Sequence, residues 1–321
     1  MKIRFRLIYL SLLITLIINS CGKDAGPTPD SGPPPRGNDS LGIGWQKIPM
    51  PDSIYFDDVF FVNDMIGYIA GSYLAKSVDG GLTWTRLNVS GNQQGGYSNI
   101  YFTDALHGCA VGRGVIWTTI DGGQNWQEKG GLSAFDVQFI SATEGYLCGV
   151  SGLYKTIDGG FNWTKVPSIT NDLSLSALFF LNNNLGWVAL TNQVRKTEDG
   201  SNSFGLAVNA TISSNAIYAM QFIDNNHGWA SSFNGSIVRT VNGGSSWEEI
   251  VKDESFSDIH FFDNNNGFLF SGSNIYLTNN GGTTLLKQAV IRKSSLTEIH
   301  FTNPNHGWAV GDMGGLYRYS K

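Results

Sequence analysis

Charge is scarce in this chain, and its balance is wrong for nucleic acid. Only 15% of the 321 residues are charged, 21 Lys and Arg against 26 Asp and Glu, for a formal net charge of −5 at pH 7. With few cations to displace counterions from phosphate, neither nucleic acid nor an anionic lipid surface is expected as a general partner. Cysteine is sparse too, with only Cys21, Cys109 and Cys148. If Cys21 belongs to an export signal, no disulfide framework is left. Cys109 and Cys148 then form either one bond or two buried free thiols, and the thiols are expected. The apolar run from Leu7 to Ile18 falls short of the ~20 residues that span a membrane. Glycine, by contrast, is abundant at 40 residues, and 41% of the chain is hydrophobic, which points to a large core cut by many turns.

Residues 1–20 read as a signal peptide: Lys2, Arg4 and Arg6 precede the apolar run, and Ile18-Asn19-Ser20-Cys21 is similar to a bacterial lipobox, relaxed at Asn19. On that reading Cys21 is the lipidated first residue of the mature protein; the alternative is an ordinary signal peptide with a chance cysteine. Residues 21–41, with Pro27, Pro29, Pro33, Pro34 and Pro35, form a semi-extended tether. Gly22 is not the Asp that resembles an inner-membrane retention signal, and Lys23-Asp24 resembles surface-export signals of some bacterial lipoproteins. The expected location is the bacterial outer membrane, through the lipid anchor, with the cell surface left open.

Beyond the tether one pattern recurs. Ser77-Val-Asp79-Gly-Gly-Leu-Thr-Trp84 is followed by related boxes centred on Asp121, Asp158, Asp199, Asn242 and Asn280, 37 to 43 residues apart. That is the period of a four-stranded propeller blade or a similar repeat unit. An Asp before Gly-Gly, between strand-like runs, is turn chemistry: its carboxylate accepts backbone N–H groups and glycine supplies positive φ. These six residues are therefore expected to be structural.

A second landmark is a glycine that opens an apolar run, at Gly67, Gly108, Gly145, Gly186, Gly228, Gly267 and Gly307. Six residues before each stands a phenylalanine: Phe61, Phe102, Phe139, Phe180, Phe222, Phe261 and Phe301. Eight before, every residue is large and apolar, so a period-2 strand occurs seven times. The predicted fold is all-β, a seven-bladed β-propeller of four-stranded antiparallel blades over residues 42–321. The last repeat stops at Gly315-Leu-Tyr-Arg-Tyr-Ser-Lys321 without its box, and Gly42-Ile-Gly-Trp45 aligns with Gly160-Phe-Asn-Trp163. The N-terminal strand is thus expected to close the last blade and leave no unpaired edge.

The boxes and the Gly-Trp-Ala-Val type runs resemble Asp-box propellers, also called bacterial neuraminidase repeats. The arrangement as a whole looks most like the photosystem II assembly and stability factor family. That resemblance implies a non-catalytic chaperone or scaffold that binds membrane-protein intermediates, in a family with many members in bacteria that have no photosystem. The box alone is shared by sialidases, xyloglucan-type glycosidases and sortilin-type receptors.

Catalytic signatures are missing. A sialidase needs converging arginines, whereas Lys76, Lys155, Lys196, Arg239 and Arg318 occupy one repeated position and must spread around a ring. No Phe/Tyr-Arg-Ile-Pro segment is present. Glycoside hydrolysis needs two carboxylates about 5 to 10 Å apart, and nothing nominates a pair. The candidate site comes from ring geometry. Nine residues before each landmark glycine lie Asp58, Asn99, Asp136, Ala177, Ala219, Asp258 and Glu298, and two residues later Phe60, Tyr101, Gln138, Phe179, Gln221, His260 and His300. The first set predicts a partly acidic rim at the mouth of the central channel. Asp258, His260, Glu298 and His300 come from neighbouring blades and suit a cation or polar ligand; the competing expectation is that these groups hydrogen-bond strand ends and adjacent blades. The candidate ligand or partner rim is therefore Asp58, Asp136, Asp258, His260, Glu298 and His300, with no cofactor and no metal expected. His107, His227 and His306 precede glycines in turns and are expected to serve those turns. Tyr55, Tyr97, Phe135 and Tyr218 either present aromatics at the mouth or pack between blades. The expected function is a monomeric, non-enzymatic binding or assembly scaffold for membrane or envelope proteins at the bacterial cell envelope. The alternative is a carbohydrate-binding protein or a degenerate Asp-box glycoside hydrolase.

Overall fold

The computed structural model describes residues 39–321 except 52, 90–95, 113, 170–173, 192, 211–216, 233–235 and 252–254. The export segment, Cys21 and residues 21–38 of the tether lie outside the described residues. Seven four-stranded antiparallel sheets form a ring, numbered here by their innermost strands: Phe56–Phe61, Asn99–Phe102, Ala134–Phe139, Ala177–Phe180, Ile217–Phe222, Asp258–Phe261 and Leu296–Asn303. Blade seven takes its outer strand, Trp45–Lys47, from the other end of the chain, with Trp45 opposite Tyr319 and Lys47 opposite Tyr317. Pairing begins before that strand. Ser40 exchanges both backbone hydrogen bonds with Val290 of blade six at 2.8 Å, and Asp39 accepts from Arg292 N at 2.8 Å and from the Tyr317 hydroxyl at 3.0 Å.

Hairpin register explains the spacing of phenylalanine and glycine. In every blade the Phe lies directly across from the landmark glycine, as in Phe61↔Gly67 and Phe301↔Gly307. The ring covers the bare backbone, and a Cβ on Gly67 would stand 2.3 Å from Phe61 Cζ. Alanine there would displace the ring that fills the space between blades.

The side chain after each glycine joins a blade to the next. Tyr68 stacks on Phe102 (3.5 Å between centroids), Tyr146 on Phe180 (3.7 Å), Trp187 on Phe222 (3.6 Å), Trp229 on Phe261 (3.9 Å), Phe268 on Phe301 (4.8 Å) and Trp308 on Phe61 (3.4 Å). Cys109 holds this position between blades two and three. The polar tips donate to a box carbonyl of the following blade: Trp187 to Gly243 O at 2.9 Å, Trp229 to Gly281 O at 3.0 Å, Trp308 to Gly80 O at 2.9 Å and Tyr146 to Gly200 O at 3.2 Å. Phe268 carries no donor, and blade seven, which it faces, has no box.

Within a box the Asp closes its own turn. Asp79 Oδ1 accepts from Ser77 Oγ at 2.8 Å and Thr83 N at 2.9 Å, while Oδ2 accepts the Thr83 hydroxyl at 2.6 Å. Asp121, Asp158 and Asp199 repeat the pattern. Asn242 and Asn280 keep the Oδ1 acceptor and turn Nδ2 onto the hydroxyls of Ser246 and Thr284, both at 2.8 Å. Gly81 takes φ +85°, and in the fourth box Ser201 holds the equivalent backbone at φ +73°. Cys109 and Cys148 are free, buried thiols; burial pushes Cys109 up to about 12.

Candidate functional site

The innermost strands surround a central channel of about 290 Å³. In blades one, three, five and seven a register shift immediately precedes the rim position (Asp58, Asp136, Ala219, Glu298). Such bulges re-aim the side chains that follow them. Each innermost strand starts at the rim and runs to the first hairpin turn, and Gly80 N donates to Met65 O at 2.9 Å, which puts that turn beside the box. The rim therefore opens on the face opposite the boxes.

The rim carboxylates bridge neighbouring blades. Asp58 Oδ2 accepts from Ile100 N at 2.7 Å, Asp136 Oδ2 from Leu178 N at 3.1 Å and Asp258 Oδ2 from Ile299 N at 3.0 Å. Two residues deeper, Gln138 grips both backbone groups of Phe180 (2.7 and 2.9 Å), and Gln221 grips both groups of Phe261 (2.7 and 3.0 Å). His300 Nε2 lies 3.0 Å from Phe61 O, which fixes the neutral tautomer with its proton on Nε2. The sequence places Gln138 and Gln221 on the wall but gives them no role. Their signal is an amide one residue before a repeat phenylalanine, where it matches the N–H and C=O of the next blade's phenylalanine.

Asp258, His260, Glu298 and His300 do not gather into a metal-binding group. Among the described residues no three His, Cys, Asp or Glu side chains come together as a metal-binding group. Asp258 accepts from Ile299 N, and the His260 ring packs against Phe262 and Phe301 with centroids 5.1 and 5.3 Å away. The two imidazoles are 6.5 Å apart. Burial lowers His260 to about 3, with His300 adding to the shift, and lowers His300 to about 4, so both are neutral at pH 7.

The remaining sequence-selected side chains separate. Phe60, Tyr101, Phe179 and Tyr218 line the channel, with Phe60 between Tyr101 (4.6 Å) and His300 (4.7 Å). Tyr97 is buried against Trp117 and belongs to the packing between blades, while Tyr55 is exposed and Phe135 half-buried. His107 and His227 each lie 2.8 Å from a carboxylate of their own turn, Asp104 and Asp224. His306 reaches instead across the closing seam to Asp64 of blade one, at 3.2 Å. The repeated cations do not converge; Lys76, for example, donates to Gly122 O of the next box at 3.1 Å.

No protein-family model matches the chain, and no curated protein does. Among solved structures it is similar to YCF48 from Cyanidioschyzon merolae, with a TM-score of 0.71 and 19% identity over 86% of this chain and 98% of that one. It is similar to YCF48 bound to a D1 peptide, with a TM-score of 0.72 and 22% identity over 87% and 97%. The GH74 xyloglucanase from Xanthomonas campestris aligns with a TM-score of 0.67 and 11% identity, over 85% of this chain and 53% of the enzyme. At these identities the likeness is one of fold: a seven-bladed β-propeller resembling YCF48.

Proposed function

We propose that this chain is a non-enzymatic binding and assembly scaffold at the bacterial cell envelope, held there by lipid on Cys21, acting as a monomer with the channel mouth as its working surface. The observation that carries this reading is how the channel wall uses its polar groups. Asp58, Asp136, Asp258, Gln138, Gln221 and His300 each hold the backbone of an adjacent blade. Groups fixed in that way stiffen a ring and present a constant surface; they are poorly suited to shuttling protons. A ring closed by its own N-terminal strand needs no second copy, which supports the monomer. The fold shared with YCF48, solved with a D1 peptide bound, supports a protein as the partner.

The test is cross-linking in intact cells, purification of the full-length lipoprotein and mass spectrometry, with a double variant Asp136→Asn and Glu298→Gln run in parallel. Asparagine keeps an acceptor for Leu178 N, so the ring is retained. Recovery of a stoichiometric envelope protein that the variant loses is expected. Absence of any protein partner, together with retention on a glycan array, would transfer the assignment to a carbohydrate-binding protein.

A further inference from the structure

Exposed apolar side chains are unevenly distributed over the face that carries the boxes. In blades one to six the first hairpin turn meets the box through one backbone bond: Met65, Leu106, Thr143, Asn184, Asn226 and Asn265 each accept from the first box glycine at 2.8 to 2.9 Å. Blade seven makes the same contact between Asn305 O and Lys321 N at 3.1 Å. Blades four to seven all use Asn at this position, so the turn does not require an apolar side chain. Blades one and two nevertheless place Met65 and Leu106 there, 54% and 52% exposed. The residue before the box Asp repeats the asymmetry. It is Val78, Ile120 and Ile157 in blades one to three, 64%, 58% and 75% exposed, against Glu198, Asn279 and Ser320 in blades four, six and seven. Val241 of blade five is the one exposed aliphatic at this position outside that arc. Single exposed apolar residues are ordinary, whereas a group of them that the fold does not need marks an interaction surface.

The boxes of this arc are tied to one another. The Tyr68 hydroxyl donates to Ala105 O and Lys76 to Gly122 O, and Thr118 of blade two donates to Gly160 O of blade three, all at 3.1 Å. With packed sheets about 10 Å apart, the arc is at least about 20 Å long, the length of about four helical turns and more than one inserted side chain covers. Its charge selects the occupant. Val78, Ile120 and Ile157 are each followed by a carboxylate whose printed partners are neutral hydroxyl, amide and backbone N–H donors. Those bonds hold Asp79 down at about 2 and lower Asp121 and, against its burial, Asp158, so all three are ionised at pH 7. The ammonium groups nearby are engaged, Lys76 by Gly122 O, Lys129 by Phe161 O and Lys155 by Glu144. A second copy of this chain would set these carboxylates against themselves, and an anionic lipid surface would be repelled; cations beside apolar side chains would be complementary. The described chain also begins on the other face. Ser40 pairs with Val290, the end of the outer strand Leu286–Val290 that runs up from the sixth box, so an anchor at Cys21 attaches on the rim side and leaves the boxes open.

We propose that the box face over blades one to three is a second docking surface, which receives an amphipathic segment of a partner protein with apolar side chains along one side and Lys or Arg beside them. The inference goes beyond the scaffold reading, because it uses neither the channel mouth nor its carboxylates.

Two measurements on the full chain test it. In the first, methyl NMR signals of Met65, Leu106 and Ile157 are followed while a synthetic Leu/Lys amphipathic helix of about four turns is added. A version with Glu for Lys and one with Ser for Leu serve as controls. Saturable shifts are expected with the Leu/Lys peptide, with affinity at least about five-fold weaker for either control and for the double variant Val78→Ser with Ile120→Ser. Leu206→Ser, at an exposed site on blade four, should change nothing. Equal binding of the Glu peptide, or equal shifts at Leu206 and Ile43, would overturn the proposal. Shifts that grow with protein concentration before peptide is added would give the face to a second copy, and binding to phosphatidylglycerol vesicles without a response to the peptide would give it to a lipid surface; either result overturns it. In the second, cross-linking in intact cells compares the Val78→Ser, Ile120→Ser variant with the Asp136→Asn, Glu298→Gln variant. Both serines replace exposed side chains, so the unfolding midpoint should be unchanged. The box-face variant is expected to lose a partner that the channel-mouth variant keeps. A partner set unchanged by the box-face substitutions would refute this surface and leave the channel-mouth scaffold intact. Peptide binding at the arc with no protein recovered from cells would refute both the scaffold and the assignment of this face to a partner protein.

Discussion

The indole of Trp308 lies flat on the ring of Phe61, centroids 3.4 Å apart and planes 6° apart, although the two stand near opposite ends of the described chain. The same indole donates its N–H to Gly80 O at 2.9 Å, so one side chain grips both the core and the first box of blade one. Trp308→Phe keeps a stacked ring and leaves a buried carbonyl without that donor, for an expected loss of about 1 to 2 kcal/mol. Trp308→Ala removes the stack as well and is expected to cost about 3 to 5 kcal/mol. Denaturant unfolding of both variants reads the difference; equal losses would mean that the hydrogen bond contributes nothing.

Closure of the ring gives a truncation series with a sharp step. Removing residues 22–38 takes away none of the described contacts and should leave the melting temperature unchanged. Removing 22–41 abolishes the Ser40 pairing with Val290 and the Asp39 contacts with Arg292 and Tyr317, and should lower it. Extending the deletion to residue 47 removes the outer strand of blade seven and the buried Trp45, with an expected cost of at least about 3 kcal/mol. A smooth decline along the series would argue against a ring held by that strand.

The architecture was legible in the sequence because each blade repeats one cross-strand pair. Phe and Gly must face each other for the ring to cover the glycine, so six-residue spacing survives in all seven copies. The closing strand was legible from the missing seventh box. The contacts between blades were less so, because they join residues 52 to 56 positions apart whose donors differ in kind, phenol hydroxyls at Tyr68 and Tyr146 and indoles at Trp187 and Trp229, while Cys109 stands at the same repeat position between blades two and three. A repeat reader sees such variation as noise. The acidic rim was visible as a set of positions, and hydrogen bonding to adjacent blades was one of its two expected roles; which backbone group each carboxylate reaches, Ile100 N for Asp58, Leu178 N for Asp136 and Ile299 N for Asp258, depends on the ring geometry that sequence spacing does not give. His306 shows the same limit: its place in the repeat matches His107 and His227, yet with Asn303 three residues earlier it turns to Asp64 in another blade.

Trp45 occupies the position of a box tryptophan without a box. Trp84, Trp126 and Trp163 donate to Gly81, Gly123 and Gly160 of their own boxes at 2.9 to 3.1 Å. The Trp45 indole nitrogen is buried with no partner among the described residues, although its ring packs against Phe268, Phe301 and Tyr319. Trp45→Phe removes an unsatisfied donor along with some ring area and is expected to change stability by less than about 1 kcal/mol, whereas Trp126→Phe should cost about 1 to 2 kcal/mol. Chemical denaturation of the two variants decides it; a larger loss at Trp45 would refute the account.

Acid should act on this fold through its boxes. The hydroxyl and backbone N–H of Thr83 hold the Asp79 carboxyl down at about 2, and Asp121, Asp158 and Asp199 are lowered by the equivalent bonds. A carboxyl whose folded pKa lies below its unfolded value of about 3.9 binds its proton more readily when unfolded. The stability it contributes is therefore present above about pH 4 and declines as the pH falls toward about 2. The fifth and sixth boxes supply the control, since Asn242 and Asn280 close the same turn without a titrating group. Asp79→Asn can adopt their arrangement because its partner, Thr83, is a hydroxyl that can accept as well as donate. It should stay within about 1 kcal/mol of the parent at pH 7 and lose less than the parent between pH 4 and pH 2. Asp79→Ala, which forfeits all three bonds, should be weaker at every pH. Unfolding midpoints for the three proteins at pH 7 and pH 2.5 test this directly: parallel acid losses in the parent and Asp79→Asn would show that the first box does not carry acid sensitivity.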